Sequence, residues 1–314
     1  MPQRRIPVIY DTDLGEDIDD LYALYLALFH PDLELAAVTT VHGDTQRKAR
    51  LAAKVLRMAG HAHIPVGAGI GMSQARIDRG QTQPDPRETA SFQTYVHEDD
   101  PECAKRYPDA TDLILKVAGQ SRQPVALVGE GALSNLAAAV QRATPEQRGN
   151  IRCIAFMGGE TGRQMREYNV SCDPEAADAV LTSGLPVFMG TYDVTSQLVM
   201  TMEDVERAFG GRENPVYEAL YDCTQMWTPH RRHKPGPVLY DLAPVFWVAD
   251  PLCVRTRNAH IRVELEGAYT RGQTVRVPPF GEGPVKESVE LDAKVLMREF
   301  LDMIKHGAAG VGKG

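Results

Sequence analysis

The sequence has no surplus of positive charge. Its 34 Lys and Arg stand against 42 Asp and Glu, for a net charge of −8, so the composition offers no basic excess for the counterion release that drives nucleic-acid binding. It has no uncharged apolar run approaching the ~20 residues of a membrane span. The opening stretch MPQRRIPVIYDTD carries too short an apolar segment for a secretory signal and leads at once into a strand. Cysteines are few, odd in number and scattered: Cys103, Cys153, Cys172, Cys223 and Cys253. That pattern reads as reduced structural thiols in a cytoplasmic-type compartment, not as a disulfide framework. Internal repeats and low-complexity segments are also lacking. The partners left are small molecules, with no nucleic acid and no membrane.

What is present suits one α/β domain spanning 1–314, since 43% of the residues are hydrophobic and can fill a core of that size. Continuous apolar runs at 6–10, 33–41, 125–128, 151–157 and 186–189 alternate with amphipathic helical patterns at 19–29, 44–58, 110–119, 134–141 and 174–182. Buried strands separated by helices predict a doubly wound, mostly parallel sheet with helices on both faces. Residues 72–109 are polar, without clear periodicity, and read as a long loop or flap. The stretch 227–239 mixes an aromatic residue, histidines and cations in the manner of a loop over a site. A last helix is expected near 292–304, ahead of a frayed glycine-rich tail at 307–314.

The densest chemistry lies where the first apolar run ends. Asp11, Asp13, Asp17, Asp19 and Asp20 fall within ten residues, in DTDLGEDIDD. Carboxylates ~4–6 Å apart repel, and some take up protons unless a counter-charge is present. A hard divalent cation is the natural partner for such oxygens, and a parallel sheet binds ligands at the carboxyl ends of its strands. An EF-hand loop is a poor match, because position twelve counted from Asp11 is Tyr22 and not a bidentate Glu. Helix capping accounts for the acids at 17–20 but leaves Asp11 and Asp13 unexplained. A phosphatase of the D-x-D-x-T type is also weak, since Gly15 stands where Thr is needed.

D-T-D-x-G followed by D-D-x-x-A-L resembles the opening signature of the inosine–uridine-preferring nucleoside hydrolase family. Asp11, Asp13, Gly15, Asp19, Asp20, Ala23 and Leu24 carry the match, with two more residues before the paired aspartates than the usual form. Further segments follow in the family's order: VTTVHGD at 38–44, GALSNLAAAV at 131–140, MGG with EYNVSCDPEAA across 157–177, and YDLAPV at 240–245. The resemblance implies Ca²⁺-dependent hydrolysis of the N-glycosidic bond of ribonucleosides, releasing ribose and a free base, and a homodimer or homotetramer. It implies a Ca²⁺ held by Asp13, Asp20, Asp241 and the backbone carbonyl of Ser134, with Asp19 as general base and Asp11 in support. Asp17 stands four residues after Asp13, where the usual form has its base; the register to Ala23 and Leu24 favours Asp19.

Glu167, Asn169 and Asp44 are the candidates for ribose recognition, although Asn169 and Asp44 also suit helix caps. Tyr240 takes the place where many members have a His, so the leaving base would meet a hydrogen-bond donor that is a poor acid near neutral pH. His230, Arg231 and His233 are substitutes from the nearby loop, and Trp227 either stacks on the base or packs in the core. Arg163 and Arg166 are placed to face an altered sugar end, and His42 adjoins the acidic turn. Two rival readings fit the same residues: a hydrolase of a different N-riboside, and a non-catalytic nucleoside- or sugar-binding protein of the same fold.

Overall fold

The computed structural model describes residues 5–80, 91–230 and 235–312, the side chain of His230 excepted. Among these, nine strands form a sheet: β1 (Ile6–Thr12), β2 (Leu33–Thr40), β3 (Val66–Ala68), β4 (Val125–Glu130), β5 (Ile151–Met157), β6 (Val187–Gly190), β7 (Val254–Val263), β8 (Thr274–Val277) and β9 (Val285–Leu291). The spatial order is β3-β2-β1-β4-β5-β6-β9-β7-β8. Pairing is parallel from β3 through β9, and β7 runs antiparallel to both β9 and β8. The mostly parallel sheet expected from the apolar runs is therefore present. Strands β3, β7, β8 and β9 were not legible in the sequence, because β3 is short and β7 alternates exposed polar with buried apolar residues.

Helices cover both faces, each over its own core. On one face Asp19–Phe29, Thr45–Met58, Pro215–Trp227, Leu242–Ala249 and Ala293–Ala308 pack around Leu21, Leu24, Leu51, Val55, Leu220, Val245 and Phe300. On the other, Ala110–Gln120, Ser134–Arg142 and Pro174–Leu181 pack around Ile114, Leu127, Leu136, Ile154 and Val180. The final helix runs into the glycine-rich tail, and Val311 packs against the first core where fraying was expected. No described helix is long and apolar enough to cross a membrane.

The chain winds outward in opposite directions from β1 and β4: β2 and β3 lie on one side, β5 and β6 on the other. In a doubly wound sheet the usual ligand position is beyond the carboxyl ends of the strands where the order reverses, here β1 and β4. In register, Asp11 lies beside Gly129 and Thr12 beside Glu130. The described part of the polar stretch 72–109 closes over this end. Phe92 is fully buried, and the Ser91 hydroxyl donates to the Gly15 and Glu16 carbonyls at 3.3 and 2.7 Å.

Candidate active site

Asp11, Thr12 and Asp13 leave the end of β1 buried, and the chain turns at Gly15, whose φ of +107° suits a residue without a side chain. A Cβ at Gly15 would also meet the Gln93 side chain at 2.4 Å. The turn delivers Asp19 and Asp20 to the start of the helix Asp19–Phe29, with no side-chain cap at its N-terminus. Asp241 arrives from the far end of the sequence at the start of Leu242–Ala249, also without making a capping hydrogen bond. Asp19, Asp20 and Asp241 each place a carboxylate oxygen within 4.8 Å of the others, and all three are buried.

Hydrogen bonds hold the surroundings in place. Thr12 donates its hydroxyl to Asp20, beside which Asp13 lies close enough for its charge to be felt. Asp11 accepts from Thr39 at 2.6 Å and from Asn135 at 2.8 Å through one oxygen, while its Oδ2 has no partner among the described residues. Asn135 in turn ties β2 to the loop at Ile70.

Among the described residues the electrostatics are those of a site short of positive charge. Burial pushes the carboxyls of Asp11 and Asp13 up to about 7, with the Glu16 charge adding to the second. Burial, then the charges of Asp13 and Asp19, hold Asp20 well above the carboxylate range. Burial, then the charges of Asp19, Glu130 and Asp20, do the same to Asp241. The set is oxygen-only, buried and clustered, which is the donor chemistry of Ca²⁺.

One neighbouring charge is answered within the protein. Lys48, fully buried, forms an ion pair with Glu16 and donates to the Val41 carbonyl at 3.3 Å, while the Tyr168 hydroxyl donates to the other Glu16 oxygen at 3.0 Å. Removing one partner of a buried pair strands the other. Lys48→Met is therefore expected to destabilise the fold by about 3–5 kcal/mol, and adding Glu16→Gln to recover much of that loss. Urea unfolding of the single and double variants measures both; a single variant as stable as the parent would refute the coupling.

The remaining sequence candidates divide sharply. Glu167 and Asn169 are buried; the Glu167 carboxylate accepts from the backbone N–H groups of Gly159, Asn169 and Val170 at 2.9–3.0 Å, and Asn169 Nδ2 donates to the Met157 carbonyl at 3.1 Å. Tyr240 is half-buried and stacks on Tyr192, with centroids 5.6 Å apart. Burial, followed by Tyr192 and the Asp19 charge, raises its hydroxyl well above the ordinary phenol value. His42 is buried at φ +60°, edge-on to Tyr168 and 3.6 Å from the Cys172 sulfur. Asp17 is partly exposed and accepts from the Ile18 N–H at 2.9 Å.

Asp44 and Trp227 take the cap and core alternatives that their types also suited, and Ser134 differs from expectation. Asp44 is exposed, and its carboxylate caps Thr45–Met58 by accepting from the Arg47 N–H at 3.0 Å. Trp227 is 1% exposed within the core, so its ring has no free face for a base. Ser134 opens a helix whose hydrogen-bond ladder already begins at the Leu133 carbonyl, and its hydroxyl donates to Asp173 at 2.5 Å. The carbonyl of Ser134 thus belongs to the helix, and the side chain at the end of the neighbouring strand is Glu130. The His230 side chain and residues 231–234, including Arg231 and His233, lie outside the described residues. Arg163 is exposed, bonded to Glu160 at 3.2 Å and lying over the Tyr192 ring.

Comparison with known proteins supplies the context for this geometry. The model of the family described as inosine-uridine preferring nucleoside hydrolase matches residues 8–301. A pyrimidine-specific ribonucleoside hydrolase, RihA, of Enterobacter sp. (strain 638) is 32% identical over 280 residues, covering 86% of this chain and 87% of that protein. Among solved structures, a purine-preferring ribonucleoside hydrolase from Gardnerella vaginalis superposes with a TM-score of 0.81 at 25% identity, over 96% of this chain and 99% of its own. A plant nucleoside hydrolase shares the fold with a TM-score of 0.78 at 24% identity, covering 97% of this chain and 99% of its own.

Proposed function

Because the chain belongs to the inosine-uridine preferring nucleoside hydrolase family, we propose that it hydrolyses the N-glycosidic bond of ribonucleosides to ribose and a free base, using Ca²⁺ held at the carboxyl end of β1. The observation that carries this reading is the buried trio Asp19, Asp20 and Asp241, brought from two distant segments to within 4.8 Å with no capping bond spent. Asp13, Asp20 and Asp241 would hold the ion. When bound, calcium supplies orientation and acidification of a water and open positions for ribose hydroxyls.

The rest of the chemistry falls to the chain's own groups. Asp19 takes the proton of the attacking water, whose oxygen bonds to the sugar as the N-glycosidic bond breaks, and the departing base nitrogen takes up a proton from solvent. The carboxylates around the ribose favour the positive charge that develops on the sugar as the N-glycosidic bond breaks. Glu167 and Asn169 form the ribose-facing wall, held rigid by the backbone bonds they make. Tyr240 offers a hydrogen bond to the departing base; its raised hydroxyl makes it a donor and not a proton source near neutral pH. The two relatives differ in base, pyrimidine for one and purine for the other, so the sugar is the part of the substrate to which this reading commits. Assembly as a homodimer or homotetramer in the cytoplasm completes the proposal.

The test is a panel of ribonucleosides and 2′-deoxyribonucleosides incubated with the calcium-loaded protein, with reducing sugar as the readout. Ribonucleosides are expected to release sugar, deoxy analogues to be slower by about 10³-fold or more because buried polar groups lose their partner, and EDTA to stop the reaction. Tight ribose binding with no sugar released from any ribonucleoside would assign the chain to the non-catalytic binders instead.

A further inference from the structure

We infer that the side chain of Glu130 is an additional ligand of the cation site, so that this chain holds its ion with one more carboxylate than the aspartates supply. The inference rests on the calcium reading above. Glu130 ends β4 in register with Thr12, and paired residues of neighbouring parallel strands project to the same face of the sheet. The Thr12 hydroxyl reaches Asp20, so Glu130 is aimed at the same group. It abuts the Asp241 carboxyl and feels the charges of Asp19 and Asp13. Glu130 is 1% exposed, and among the described residues neither of its carboxylate oxygens has a hydrogen-bond partner of good geometry, the Asp241 carboxyl and the Met157 backbone being the groups nearest to that role.

A buried carboxylate without a donor is a costly thing to keep unless something absent from the bare chain meets it. Among the described residues, the buried cation Lys48 does not: it is engaged by Glu16 and the Val41 carbonyl. The backbone makes room for the approach, because a Cβ at Gly131 would sit 3.1 Å from the Asp13 side chain. Calcium accepts six to eight oxygens, and its affinity rises with the number of charged ligands. Asp13, Asp20 and Asp241 leave positions to fill, and Glu130 stands beside them.

The experiment titrates CaCl2 by calorimetry into the full-length protein stripped with EDTA, comparing the parent, Glu130→Gln and Asp241→Asn, with thermal melts in EDTA and in calcium. Glu130→Gln is expected to bind calcium at least about tenfold more weakly. It should melt no lower than the parent in EDTA, because a buried like charge is gone, and gain less from calcium. Should Gln fail to fold, Glu130→Asp, which keeps the charge but withdraws it, is expected to show an intermediate affinity. Calcium affinity within about twofold of the parent in Glu130→Gln, while Asp241→Asn loses the ion, overturns the role of Glu130 and leaves the calcium reading intact. A parent that takes up no calcium overturns both.

Discussion

Asp241→Asn is expected to lose calcium binding and nucleoside hydrolysis together, with affinity falling by more than the ~10–100-fold typical of an outer-shell change. The geometry singles this residue out. A carboxylate at a helix start ordinarily caps the helix, as Asp44 and Glu167 do here. Asp241 makes no capping bond although it stands at the start of Leu242–Ala249. Its charge is instead aimed at Asp19 and Asp20, against which it is both buried and repelled. That arrangement is unfavourable in the bare protein and favourable only with a cation in place, since the ion turns mutual repulsion into shared attraction. Asn keeps the shape and removes the charge, so the metal-free variant should stay folded. Calorimetric titration with calcium, followed by a reducing-sugar assay, checks both halves. Retained calcium affinity would remove Asp241 from the site, whatever became of the rate.

How much of this was legible beforehand follows from which contacts are local. The acids of DTDLGEDIDD lie between an apolar run and an amphipathic helix, so their gathering at a strand end was readable from spacing. Asp241 was reached only through the resemblance of YDLAPV, since nothing in its immediate neighbours points back over 220 residues of chain. Glu130 was hidden because the apolar run stops at Val128, whereas β4 continues through Gly129 to Glu130. The Lys48–Glu16 pair joins positions 32 apart through a helix that the pattern presents as amphipathic, and no local rule buries a lysine there. Asp44 and Trp227 were readable two ways, and the structure gives them the cap and the core. Their types suit recognition, but backbone N–H groups at a helix start and apolar neighbours in a core compete for the same side chains.

The base is where spacing and geometry must be weighed against each other. Counting forward from Asp13 favours Asp17, while counting back from Ala23 and Leu24 favours Asp19. The structure gives the two residues different employment. Asp17 is partly exposed and closes the turn through the Ile18 N–H; Asp19 is buried, opens the helix uncapped and shares the 4.8 Å group with Asp20 and Asp241. A proton acceptor has to stand beside the water it deprotonates, and a group beside Asp20 and Asp241 meets that condition. Asp19→Asn is therefore expected to lower kcat by about 10²–10⁴-fold, the range for losing a positioned base. Its amide oxygen still serves the cluster, so calcium affinity should fall by no more than about tenfold. Asp17→Asn keeps an oxygen that accepts from Ile18 and should change kcat by only a few-fold. Measuring kcat and calcium affinity on both variants separates the cases, and a large kcat loss confined to Asp17→Asn would move the base to the other side of the insertion. The helix then explains why selection of the inner acid follows from the fold: Leu21, Ala23 and Leu24 lock its face into the core, so Asp19 and Asp20 are held beside Asp241 while Asp17 is the partly exposed acid of the turn.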